Sequence, residues 1–257
     1  MYFCFRLTAL KMETERPLSE LPVEMLRIIV TFLPPKDLLS VVLVSQLWRE
    51  LGENPRLWRG LTLCIRREHV RRIEEVLAIR RLKHLQRIKF SKLCLNNATD
   101  NATVFNVIAF KESVKELIIR GSDLSKVSPD VIATCLNNMD KVEFVPHIWG
   151  TGPTFEQVDA LFVKMKVETK LRVLNIRSNN LSRVSAKVMG ECVNNLEEVD
   201  MWNTSLNTEQ VEQMLMVSKH RTRLKSLNIS GNYFSILDVP KDIIEDAKQT
   251  IPSFEYC

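Results

Sequence analysis

Apolar positions recur along most of this chain in one short pattern, apolar-x-x-apolar-x-apolar. Copies begin at Trp58 (WRGLTL), Leu85 (LQRIKF), Val114 (VKELII), Met139 (MDKVEF), Leu171 (LRVLNI), Leu196 (LEEVDM), Leu224 (LKSLNI) and Ile251 (IPSFEY). Successive starts lie 27, 29, 25, 32, 25, 28 and 27 residues apart. The two-residue step at the end of each copy predicts a short strand with one buried face. Between copies the pattern turns helical. Ser128 followed by Pro129 supplies an N-cap and a first-turn proline. Thr154 opens TFEQVDALFVKM, and Thr208 opens TEQVEQMLMVSKH. Val70, Ile73, Val76 and Leu77 make a further helical face. A strand plus one such helix cannot bury its apolar face alone, so neighbouring units must stack.

The pattern resembles the leucine-rich repeat, whose longer form is L-x-x-L-x-L-x-x-N-x-L. LRVLNIRSNNL carries that form with Asn179 and Leu181, and LKSLNISGNYF carries it with Asn232 and Phe234. There the Asn satisfies backbone groups where the chain leaves the strand. Ser122, His147 and Thr204 stand in the Asn slot of degenerate copies. The expected fold is α/β. It has a flexible N-terminal segment over 1–16, a short helical domain over 17–60, and a leucine-rich-repeat solenoid over 61–257. The solenoid would hold about seven to eight repeats, with a curved parallel sheet inside and helices outside.

The helical segment at the front is too apolar for its size. Leu38, Leu39, Val41, Val42, Leu43, Val44, Leu47, Trp48 and Leu51 cover nearly the whole circumference of a helix. A helix apolar all round must be buried on all sides, and a unit this small cannot enclose it. A protein partner in a helix-in-groove arrangement supplies the missing cover. Pro22 suits a first helical turn with Glu24 near its dipole, Pro34-Pro35 stops the first helix, and Asp37 helps start the second.

The stretch LPVEMLRIIVTFLPPKDLLSVVLVSQLWRELGENPRLW resembles an F-box. The family's Leu-Pro-x-Glu start is matched by Leu21, Pro22 and Glu24. Its apolar pairs and Phe-Leu are matched by Met25, Leu26, Ile28, Ile29, Phe32 and Leu33. Asp37, Leu38, Leu39, Val44, Ser45, Trp48, Leu57 and Trp58 complete it, whereas Gln46 and Leu47 replace the family's basic residues before the Trp. The resemblance implies docking on the Skp adaptor of a cullin–RING ubiquitin ligase. It implies Leu21, Pro22, Glu24, Leu26, Ile29, Leu33, Leu38, Leu43 and Trp48 as the adaptor-facing and packing set. An F-box followed by leucine-rich repeats resembles a substrate receptor. The alternative is a non-degradative scaffold.

Composition narrows the chemistry. Net charge is +5, there are seven Gly and six Cys, and no two Cys form a CxxC pair. Scattered thiols fit a reducing compartment, cytoplasmic or nuclear. No apolar run approaches bilayer length. There is no P-loop, Rossmann fingerprint, G-x-S-x-G or H-E-x-x-H. We therefore expect no enzyme activity, no cofactor and no metal. Residues 66–92 hold ten Lys/Arg against three Glu, but Phe90 is the lone aromatic among them, which reads against nucleic acid.

A substrate is expected on the exposed strand face. The position between the last two apolar residues of each copy gives Thr62, Lys89, Ile118, Glu143, Asn175, Asp200, Asn228 and Glu255. The position after each copy includes Arg120, Arg177 and Trp202, which are the candidate substrate-binding residues because Trp and Arg are typical interface anchors.

Overall fold

The computed structural model describes residues 21–66, 80–91, 104–106, 108, 112–122, 124, 127–136, 138–145, 155–167, 170–221, 223–232 and 239–256. The segment 1–16, the helix expected around Val70–Leu77, Thr154 and the His147 slot lie outside them. The chain divides between Leu57 and Trp58 into two compact units.

The first unit is helical. Helix α1 spans Val23–Thr31, α2 spans Pro35–Val41 and α3 spans Gln46–Gly52, while α4 (Pro55–Gly60) contains the boundary. Leu26, Val30, Leu38, Val42 and Leu51 form the core. The long helix expected through 38–51 is instead two helices. A turn at 42–44 ends α2, and extended Ser45 caps α3 by accepting from the Trp48 N–H at 3.4 Å. Gly52 permits the return of α3, because a Cβ there would sit 2.5 Å from Val42 Cγ1. At α1 the cap is Pro22, whose carbonyl accepts from Met25 and Leu26 at 2.9 and 3.2 Å. Asp37 lies in the first turn of α2 without a capping bond, and Pro35 occupies the start.

The second unit is α/β. Strands β1 (Thr62–Ile65), β2 (Arg87–Ser91), β3 (Glu116–Arg120), β4 (Lys141–Val145), β5 (Val173–Asn175), β6 (Glu198–Asp200), β7 (Ser226–Asn228) and β8 (Ser253–Glu255) form one parallel sheet in sequence order. Its helices are α5 (Pro129–Leu136), α6 (Phe155–Val167), α7 (Ala186–Val193), α8 (Thr208–Arg221) and α9 (Lys241–Thr250). Equivalent apolar positions of successive copies pair in register, as in Ile88–Leu117–Val142–Leu174–Val199–Leu227–Phe254. The first copy is the exception. Leu63, not Leu61, pairs with Ile88, so the repeat there slips by two residues and Cys64 rather than Thr62 stands beside Lys89. The two-residue step explains how the slip keeps the same face inward.

Strands β3, β5, β6 and β7 end in a shared turn. Gly121, Ser178, Asn203 and Gly231 occupy the eighth position of their copies and have φ of 59°, 60°, 53° and 70°. Asn is at home in this left-handed region and Gly is free there, whereas Ser178 adopts it at some cost. The residues in the Asn slot then close the turn. Asn232 accepts from the Thr204 and Leu206 N–H groups at 2.8 and 3.0 Å and donates to Met201 and Ile229 carbonyls at 3.0 and 2.7 Å. Asn179 donates to Phe144 and Ile176 carbonyls, and Thr204 donates to Met201.

A doubled period also emerges. Buried Gln157 and Gln210, each within an E-Q-V triplet in the first turn of its helix, reach back to two carbonyls of the preceding unit. Helices alternate in length as well, with 8, 13, 8 and 14 residues in α5 to α8. The cap of α8 is Asn207 rather than Thr208. Asn207 Oδ1 accepts from Gln210 N–H at 2.9 Å, while Gln210 Oε1 accepts from Asn207 N–H at 3.0 Å, a capping box. Where α7 meets α8, Gly190 allows the approach, since a Cβ there would lie 3.0 Å from the Gln213 carbonyl. Burial pushes the Cys135 thiol up to about 12, so it is packed as an inert apolar group.

Candidate functional sites: an exposed apolar helical face and a polar sheet face

In the first unit, large apolar side chains stand in water. Met25 is 50% exposed, Ile28 57%, Phe32 80%, Leu43 76%, Val44 69% and Leu47 38%. The α1 members follow from helix geometry. At 100° per residue, Met25, Ile28 and Phe32 share one stripe, about 150° around the axis from buried Leu26 and Val30. Ile29 and Leu33 lie between the two stripes and are half-buried. Leu43 and Val44 are exposed because the turn at 42–44 breaks the helix, and Leu47 lies in the first turn of α3.

The expected adaptor set divides accordingly. Leu43 is exposed and apolar; Pro22 and Glu24 are exposed at the start of α1; Leu21, Ile29, Leu33 and Trp48 are half-buried. Leu26 and Leu38 are at 0% exposure, so they hold the unit together and cannot face a partner. Met25, Ile28, Phe32, Val44 and Leu47 were absent from that set. Their signal was the apolar surplus itself, which exceeded what one core can bury.

Residues 18–64 match the F-box-like family model. An F-box-like domain therefore occupies the front of the chain, over the same stretch as the exposed apolar face. F-box domains generally bind Skp-type adaptors. Comparison with curated proteins returns no match.

In the second unit the exposed face of the sheet is polar and unevenly charged. Around β2–β4 the carboxylates are covered by arginines. Arg87 donates to both Glu116 oxygens at 2.6 and 2.9 Å, and Arg120 Nε donates to Glu143 Oε1 at 2.7 Å. The guanidinium beside Glu116 holds its carboxyl below the ordinary value of 4.5. Around β6–β8 cover is thin. Asp200 has Arg177 at 3.9 Å and spends its other oxygen on the Trp202 N–H at 3.0 Å.

The three candidate substrate residues do not meet. Arg177 and Trp202 do, with the guanidinium 5.8 Å from the indole centroid, a cation–π distance. Trp202 is 41% exposed. Gly231 leaves space for its ring, because a Cβ there would lie 2.9 Å from Trp202 Nε1. Arg120 is two strands from Arg177, ~10 Å away by strand spacing, and its charge is engaged by Glu143. Among the described residues there is no His/Cys/Asp/Glu group suited to a metal, and no helix is long and apolar enough to cross a membrane.

Proposed function

We propose that this protein is a non-catalytic substrate-recognition subunit of a Skp–cullin–F-box ubiquitin ligase. Its F-box-like domain binds the Skp adaptor, and through it the cullin and RING subunits. The second unit, read as a leucine-rich-repeat solenoid, holds a protein substrate on its strand face. Catalysis then works by proximity, since a bound substrate sees a high effective concentration of the charged conjugating enzyme. We place this activity in the cytoplasm or nucleus.

One observation carries the reading. Six large apolar side chains are exposed in a unit of the F-box-like type, and isolated soluble domains rarely leave so many uncovered. The adaptor is the partner that domain type predicts.

Co-expression with the Skp adaptor tests the reading. The wild-type chain should co-elute with it as a one-to-one complex, and a Phe32→Ala/Leu43→Ala variant should not. A wild-type chain that remains separate from the adaptor sinks the proposal. A complex that forms without proteasome-dependent turnover of any bound protein supports the non-degradative scaffold instead.

A further inference from the structure

We infer that the strand face over β4–β8 is a docking groove for a basic protein segment. This rests on the reading of that face as the substrate surface and names the class of substrate. The groove encloses about 240 Å³ and is lined by Glu143, Glu198, Asp200 and Glu255 against one ammonium, Lys141. Of the four carboxylates, Glu143 is neutralised by Arg120. Asp200 is held only loosely, by Arg177 at 3.9 Å. Among the described residues, Glu198 and Glu255 have no cation within ion-pair reach.

The contrast with the other end of the same sheet is the argument. At β2–β4 each face carboxylate has an arginine within 3 Å, and Lys89 and Lys141 on the same face leave that end net positive. At β6–β8 like charges converge in a concave strip, where the potential is focused and a cationic partner is drawn in. Trp202 stands at the rim as the exposed anchor, kept in place by the opening at Gly231. Parallel strands two apart are separated by ~10 Å. Asp200 on β6 and Glu255 on β8 therefore suit two basic side chains at that separation on one segment, with Trp202 covering the apolar stem of the first. Asn228 and Ser226 on β7 leave the floor between them uncharged.

Fluorescence anisotropy of the full chain with labelled peptide pools of equal length tests this. One pool carries Lys and Arg at the varied positions, one Ser and Gln, one Asp and Glu. The basic pool should bind, more weakly as salt is raised. Glu198→Gln/Glu255→Gln, isosteric and exposed, should weaken it on the order of tenfold. Trp202→Ala should weaken it separately, and Arg120→Gln, which uncovers Glu143 in the groove, should strengthen it. Equal binding of the neutral or acidic pool, unchanged binding by the double variant, or binding of no pool overturns the inference. Adaptor co-elution, read on the same preparations, decides the receptor role independently.

Discussion

The two units treat apolar side chains in opposite ways. In the second unit the strand rows are closed, and its helices leave Val163 and Met216 as scattered exposed apolar side chains. Ile88, Leu117, Val142, Leu174 and Leu227 are at 0% exposure, because each unit's apolar face is covered by its neighbours. In the first unit Phe32 and Leu43 remain 80% and 76% exposed beside a small core. The difference teaches that apolar content marks different things in the two places. In a repeating sheet it marks continuity of the core, whereas in a short helical unit the surplus over the core marks an interface.

The sharpest way to break this comparison is a pair of Phe→Ala substitutions. Phe162 on α6 is fully buried, so Phe162→Ala should cost about 3–5 kcal/mol of stability. Phe32→Ala should move stability by less than about 0.5 kcal/mol, as surface changes do, while weakening adaptor binding. Chemical denaturation of both variants checks the first half and gel filtration with the adaptor the second. Equal destabilisation would mean that Phe32 is a core residue and the contrast fails.

A second pair compares how the units end their elements. Asn232 ties two neighbouring turns together through the backbone groups of four residues, Met201, Thr204, Leu206 and Ile229. Asn232→Ala takes a partner from the Thr204 and Leu206 N–H groups and the Ile229 carbonyl, while Met201 keeps the Thr204 hydroxyl, and should cost about 1–3 kcal/mol. Ser45 caps a single helix by one bond of 3.4 Å, so Ser45→Ala should cost ~0.5–1 kcal/mol. Thermal melts of the two variants side by side check the ranking, and a costlier Ser45→Ala would reverse it.

What the sequence made legible follows from these physical differences. The strands were readable because a two-residue apolar step has one structural meaning, and every described template copy carries a strand. The first copy was misplaced because that same step is invariant to a slip of two: Leu61-x-Leu63 and Leu63-x-Ile65 look alike until Leu63 pairs with Ile88. The break at Ser45 was hidden by apolar residues on both sides of it, although a Ser three residues before a Trp-bearing helical run is a capping signal. The left-handed positions escaped notice since only two of the five, Gly121 and Gly231, are glycines, the others being Ser178, Asn203 and Ser205. The repeated E-Q-V triplets lay in plain view, but only the back-reaching hydrogen bonds give them meaning. At the sheet face, residue types named the candidates, whereas pairing decided among them. Arg120 looked like an anchor until Glu143 was found on it.

Pairing also sets the smallest effect, a dependence on acid. Arg87 donates two hydrogen bonds to Glu116, which lowers the Glu116 carboxyl below its ordinary 4.5. A carboxylate depressed in the folded state contributes stability that is fully present above that ordinary value. The contribution is lost as pH falls through the lower folded value. The two side chains are 36% and 27% exposed, so water and salt screen the pair and its contribution is on the order of 0.5 kcal/mol. Denaturation midpoints taken at stepwise lower pH should therefore fall more steeply below 4.5 for the wild type than for Glu116→Gln. Glu198→Gln, which removes a carboxylate without a close cation, should leave that slope unchanged. Equal flattening by both variants would mean that the covered and uncovered ends of the sheet are electrostatically alike. The asymmetry that makes the β6–β8 end attractive to a basic segment would then be lost with it.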